Sequence, residues 1–206
     1  GNLFYDVPTA MLIGGGRAPE KPVQTVAMVG VGDASSATAE LALFEKDAAG
    51  FKAPGAYVRS AIATITTHDL PTLRGWWEGH DLALRDRLDL FPGEEVRRHV
   101  YEERDRDRAA VLEALDATGL RPRAAGQGAE VPFSVELARA IQLYLARSSA
   151  ALVVLQIEDL IGMTDPVNVP GTSDQHANWQ RKITASIEDV FEARIVSFLQ
   201  IAPRSL

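Results

Sequence analysis

A chain of 206 residues with 46% hydrophobic side chains is long enough to bury a core as one domain, or as one domain with an extension. Its formal net charge of −7 argues against a broad cationic surface, so nucleic acid is not expected as a partner. The absence of cysteine excludes disulfides, thiolate catalysis and cysteine-based zinc sites, and His68, His80, His99 and His176 show no metal-ligand spacing.

No apolar stretch approaches the roughly 20 residues of a bilayer span. Gly1 to Ala10 carries Asp6 and no basic residue, unlike a signal peptide, so the expectation is a cytoplasmic chain with no membrane partner. Residues 1–31 are interrupted by Pro8, Pro19, Pro22 and Gly14-Gly15-Gly16 and read as loop or short strand, with apolar runs at Ala10–Ile13 and Val26–Val31. Gly30-Val31-Gly32 lacks the further glycine and the Lys-Ser/Thr pair that a phosphate loop needs, which argues against nucleotide binding. Ala34 to Ala42 has helical propensity, whereas Leu41 to Phe44 also reads as a strand emptying into the acidic Glu45-Lys46-Asp47, and both readings stay open.

Ala61 to Thr66 is a short run rich in β-branched residues, bounded by Pro71, and predicts a buried strand. Ile62 and Thr64 share one face; Ala61, Ala63 and Ile65 share the other. Thr67-His68-Asp69-Leu70-Pro71 follows, where α/β enzymes place working groups at the carboxyl ends of strands. Arg74, Trp76 and Trp77 lie just beyond, and apolar rings beside a carboxylate suit a sugar, whose C–H faces stack while its hydroxyls seek charged partners. The plainer alternative is a His-Asp pair bonding backbone amides in a Leu-Pro turn, with both tryptophans in the core.

Asp81 to Leu90 predicts one short helix, and Gly93 to Thr118 a long one stopped at Gly119. Within it, Glu102 to Arg108 alternates in charge and reads as a solvated face braced by i,i+4 ion pairs. After the loop Arg121–Pro132, Ser134 is placed to cap a helix from Val135 to about Arg147. Ala150 to Ile157 is continuously apolar, as a strand covered on both faces would be, and Glu158-Asp159 sit at its end as Asp69 does at the earlier one. Two strand-to-acid junctions separated by helices imply parallel strands with crossover helices, an α/β fold. The proline-rich loop Asp165–Thr172 either holds a ligand through Asn168 and backbone groups or is a rigid surface turn. A last amphipathic helix is expected from about Ala185 to Gln200.

Four segments, taken in order, resemble a known family. They are Leu43-Phe44-Glu45-Lys46-Asp47, Thr67-His68-Asp69-Leu70-Pro71-Thr72-Leu73-Arg74-Gly75-Trp76-Trp77, Leu155-Gln156-Ile157-Glu158-Asp159, and Pro166-Val167-Asn168-Val169-Pro170-Gly171-Thr172 with Asn178-Trp179-Gln180-Arg181-Lys182. Together they are similar to the C-terminal part of the 4-alpha-glucanotransferases, or amylomaltases, of glycoside hydrolase family 77. The resemblance divides the chain into an unmatched segment 1–40 and a part 41–206 that corresponds to the C-terminal portion of a (β/α)8 TIM-type barrel with a helical insertion.

What the resemblance implies is transfer of α-1,4-glucan segments to the 4-hydroxyl of another glucan or glucose, with retention, on maltooligosaccharides and without a cofactor or metal. By motif match Asp69 is the transition-state stabiliser, His68 and Asn168 contact substrate, and Trp76 and Trp77 pack the neighbouring loop. Retention needs a nucleophile and an acid/base about 5 Å apart, and the family carries these on earlier strands. Val29-Gly30-Val31-Gly32-Asp33-Ala34-Ser35-Ser36 has no glutamate where the family's acid/base motif belongs, so the expectation is a fragment or truncated homologue. Exposed strand edges would then invite self-association or pairing with the missing N-terminal part. Two other classes remain in view: a noncatalytic glucan-binding or interaction module, and a metal-dependent phosphohydrolase using the His-Asp doublet.

Overall fold

The computed structural model describes residues 25–27, 38–42, 46–47, 50–59, 61–123 and 131–192. Strands β1 (Thr25–Ala27), β2 (Thr38–Ala42), β5 (Ala61–Thr64) and β6 (Leu152–Val154) form one sheet in the order β1-β2-β5-β6, and β3 (Lys46–Asp47) and β4 (Gly50–Phe51) form a hairpin. β2 and β6 flank β5 and run parallel to it, with Glu40 opposite Ala61 and Ile62 opposite Leu152; β1 is antiparallel to β2. The predicted parallel pair with helices between its strands is therefore present as β5 and β6. Thr38–Ala42 is strand rather than helix, because ladder bonds to β5 and β1 outweigh the local helical preference of its alanines. Small side chains on β5 let helix and loop approach closely: Ala61 and Ala63 are buried against Tyr57, Leu145 and Ala150.

One expectation for the sheet fails. β6 spans only three residues, and its Leu152 and Val154 are 46% and 39% exposed, so it is not covered on both faces. Leu152 and Val154 project from the same side of the strand, and among the described residues that side is left open, while β6 pairs with β5 alone at the end of the sheet. Nor do Glu158 and Asp159 sit at the strand's end; they belong to the helical turn α5 (Ile157–Leu160) that follows Gln156.

Among the described residues four helices lie between β5 and β6: α1 (Leu73–Glu78), α2 (His80–Arg87), α3 (Glu94–Ala117) and α4 (Val135–Ala146). The Ser134 hydroxyl accepts from the Leu137 amide at 3.1 Å and starts α4 where the sequence places it. Gly119 follows α3 at φ +67°, the left-handed turn that ends it. Leu73, Trp77, Val111, Leu112, Leu115, Leu137, Ile141 and Tyr144 make the core between these helices. Burying each of the larger side chains stabilises the fold by about 1.5–3 kcal/mol. A further helix, α6 (Ile187–Glu192), is capped by Ser186, whose hydroxyl accepts from the Asp189 amide. The rest of the helix expected to Gln200 lies outside the described residues, as do Ala10–Ile13 and Gly30-Val31-Gly32.

The charged stretch of α3 is not simply a solvated face. Glu102, Asp105 and Arg106 are exposed, but Arg104 is buried and forms a two-pronged ion pair with buried Asp81 of α2, at 2.8 and 2.7 Å. The same guanidinium donates to the Trp76 carbonyl and lies 4.8 Å from the centroid of the Trp76 ring. Both tryptophans serve packing. Trp77 is fully buried, its indole N–H donates to the Val131 carbonyl at 2.7 Å, and Arg108 stacks over its ring. Among the described residues no helix is long and apolar enough to cross a membrane.

Candidate functional site

β5 ends at Thr64, and the chain turns through Thr67 to Leu70, closed by the Leu70 amide donating to the Thr67 carbonyl at 3.1 Å. Pro71 prevents the turn from running into helix, and Thr72 starts α1 by accepting from the Gly75 amide at 3.1 Å. His68 and Asp69 are thereby carried on a short bridge between a strand and a helix, both fixed in the core. Their side chains stand out of it, 58% and 47% exposed.

The second wall comes from far along the chain. Asn168 donates its amide to Asp69 Oδ1 at 2.7 Å, while His68 Nε2 lies 3.1 Å from Asp69 Oδ2. The three residues that sequence reasoning selected thus meet, and each carboxylate oxygen of Asp69 has its own partner. The loop that carries Asn168 is rigid for local reasons: Asn178 accepts from the Val169 amide at 2.9 Å and donates to the Thr172 hydroxyl at 2.8 Å. Next to it, Trp179 donates its backbone amide to the Val167 carbonyl and adopts φ +63°. Arg181 then turns back to Glu158 of α5, at 3.2 Å, and to the Pro166 carbonyl.

Between these walls lies a cavity of about 230 Å³, lined by Thr66, Thr67, His68, Gln156, Glu158, Trp179 and Arg181 among others. Asp69 does not line it directly, but its neighbour and bonding partner His68 does. Beneath the cavity Asp159 ties the two walls together. It is 3% exposed and accepts from the Thr66 hydroxyl and from the Leu73 amide, the latter at 2.7 Å. Burial pushes its pKa up from 3.8 to about 6, against the pull of those two hydrogen bonds.

The sequence motifs contained Glu158, Asp159, Trp179 and Arg181 but gave them no separate work. No local pattern distinguishes the exposed Trp179 from the buried Trp77; the difference is set by chain segments packing from elsewhere. The aromatic partner expected beside Asp69 is therefore Trp179, 62% exposed and with its ring 5.1 Å from that of His68, rather than Trp76 or Trp77. Among the described residues no group of three or more His, Cys, Asp or Glu side chains gathers as a metal site. What the cleft offers a ligand is a pinned carboxylate, an imidazole, amide and guanidinium donors and one open indole.

Comparison with known proteins bears on this geometry. The family model described as 4-alpha-glucanotransferase matches residues 32–187. The 4-alpha-glucanotransferase of Haemophilus influenzae is 35% identical over 148 residues, covering 70% of this chain and 21% of that protein. That of Mycobacterium tuberculosis is 33% identical over 150 residues, covering 70% of this chain and 20% of its own length. The crystal structure of amylomaltase from Corynebacterium glutamicum superposes with a TM-score of 0.66 at 25% identity, over 77% of this chain and 24% of that one. The chain spans about a fifth of the length of the curated relatives it matches.

Proposed function

Because the chain belongs to the 4-alpha-glucanotransferase family, we propose that it supplies the transition-state-stabilising carboxylate, Asp69, of a site that transfers α-1,4-glucan segments to the 4-hydroxyl of another glucan or glucose. Transfer with retention passes through a covalent glucosyl intermediate: a carboxylate attacks the anomeric carbon while an acid protonates the departing oxygen. Neither of those two groups is matched in this chain. Asp159, sealed by Thr66 and Leu73, and Glu158, paired with Arg181, are held in structural contacts.

Asp69 acts beside that pair. Its oxygens accept hydrogen bonds from donor-sugar hydroxyls, and these bonds strengthen as positive charge develops on the ring. Asn168 and His68 hold the carboxylate from two sides, so that it need not reorganise as the charge appears, and His68 also meets a sugar hydroxyl. The observation that carries this reading is the double tethering of a half-exposed Asp69 beside an open cavity.

The finer architecture follows from the same reading. Residues 41–206 are read as the C-terminal portion of a (β/α)8 barrel, with β2, β5 and β6 as three of its parallel strands; β1 and the first residues of β2, which precede residue 41, join the same sheet. Among the described residues the outer edge of β6 carries no further strand, and this edge, with exposed Leu152 and Val154, is where a further part of the barrel, or a second copy, would add. Maltooligosaccharides are the substrates and a cytoplasmic location suits them.

Asp69→Asn tests the assignment. It is expected to weaken maltotriose binding to this chain and, in an enzyme that holds the complete catalytic set, to lower kcat by about 10²–10³-fold. Unchanged affinity and unchanged kcat would remove Asp69 from the mechanism.

A further inference from the structure

We propose that Trp179 is the stacking platform for a single glucosyl ring, in the cavity between His68 and the Glu158–Arg181 pair. This rests on the glucan reading of the site.

Trp179 is the tryptophan that the fold leaves open, 62% exposed where Trp77 is 1%. Its exposure is not looseness. The backbone amide of Trp179 is held by the Val167 carbonyl at 3.0 Å, and the preceding Asn178 and Arg181, two residues on, are each anchored by side-chain hydrogen bonds. A bulky residue at φ +63° is strained, and such strain persists only where the surroundings impose it. The imposed conformation turns a large apolar ring toward a cavity when burial would be worth about 1.5–3 kcal/mol.

The rest of the cavity has complementary chemistry. A pyranose has apolar C–H faces and a rim of hydroxyls in the ring plane, so it needs one flat aromatic wall and polar groups around the edge. Trp179 supplies the wall, and Gln156, Thr66, Thr67, Glu158 and Arg181 supply the rim. Glu158 and Arg181 neutralise one another at 3.2 Å, which suits an uncharged ligand. At about 230 Å³ the cavity is smaller than the roughly 300–1,000 Å³ of drug-sized sites, and so takes one ring rather than a coil of glucan.

The test uses the purified chain with glucose, maltose, maltotriose and maltoheptaose, by calorimetry and by iodide quenching of tryptophan fluorescence. Trp179→Ala is expected to weaken maltotriose binding about tenfold, and Trp179→Phe, which keeps a flat ring, by no more than about threefold. Bound maltotriose should shield the wild-type fluorescence from iodide, and this shielding should vanish in Trp179→Phe. Should Trp179→Ala lose its fold by circular dichroism, the Phe variant and the shielding decide the matter. If Asp69→Asn weakens binding but Trp179→Ala does not and the indole stays quenchable, stacking is refuted and the glucan reading stands. If the wild-type chain binds none of these sugars at millimolar concentration, both fall.

Discussion

Replacing Arg104 with methionine isolates the energetics of the ion pair that joins α2 to α3. Both partners are almost wholly buried, with side-chain exposures of 7% and 8%, and both carboxylate oxygens of Asp81 are engaged by one guanidinium at 2.7–2.8 Å. Methionine preserves much of the volume but strands the carboxylate in the interior. Breaking such a pair from one side costs about 3–5 kcal/mol, a large share of the roughly 5–15 kcal/mol that holds a domain together. The Trp76 carbonyl loses a donor as well but keeps the Gly79 amide at 3.3 Å, so it is not orphaned. Removing both charges, as Asp81→Leu with Arg104→Met, should cost far less than the single change, about 0–2 kcal/mol, because no unpaired charge remains. Urea denaturation of the wild type, both single variants and the double variant, followed by tryptophan fluorescence and circular dichroism, closes the cycle. A single variant that loses less than about 1 kcal/mol, or a double variant as damaged as the sum of the singles, would refute the reasoning.

Asp159 makes stability depend on pH in the opposite sense from a typical surface carboxylate. Its folded pKa of about 6 lies above the ordinary 3.8, so between these values the folded chain holds a proton that the unfolded chain releases. Stability is therefore full below about pH 4 on this account and declines up to about pH 6, by about 3 kcal/mol in order of magnitude. Asp159→Asn, which still accepts from the Leu73 amide, should flatten that slope and raise the urea midpoint at pH 7; a slope unchanged in the variant would rule Asp159 out as its source. Gly75→Ala should be destabilising although alanine favours helix, since its Cβ would lie 2.3 Å from the Thr164 carbonyl oxygen. A loss of about 1–3 kcal/mol in urea titration is expected, and a gain would show that the 164 loop yields.

Local chemistry was enough to read much of this molecule. Ser134 and Gly119 bound helices because a hydroxyl and a left-handed residue act on their immediate neighbours, and those limits appear where they were expected. The turn at Thr67–Pro71 and the loop around Asn168 were legible for the same reason, and family motifs joined them. What the sequence could not show depends on partners distant in the chain. Thr38–Ala42 is a strand because β5 lies beside it, one face of β6 is open because the described residues leave it uncovered, and Arg104 is interior because Asp81 meets it from another helix. For Trp76 and Trp77 the local pattern leaves stacking and packing both open, and the structure decides for packing: their rings meet Arg104 and Arg108, and the Trp77 indole meets the Val131 carbonyl.

The hydrogen bonds that link the two walls of the cleft, Thr66 to Asp159, Leu73 to Asp159, Thr72 to Thr164, Gln156 to Thr66 and Asn168 to Asp69, all join residues 86 to 99 positions apart. A seam of that kind cannot form until the intervening helices have brought its margins together, since the entropy of closing so long a span precedes any reward from the contacts. Assembly of the cleft is therefore expected late in folding, and amide exchange at Leu73 should report on the integrity of the whole α/β unit rather than on fraying nearby.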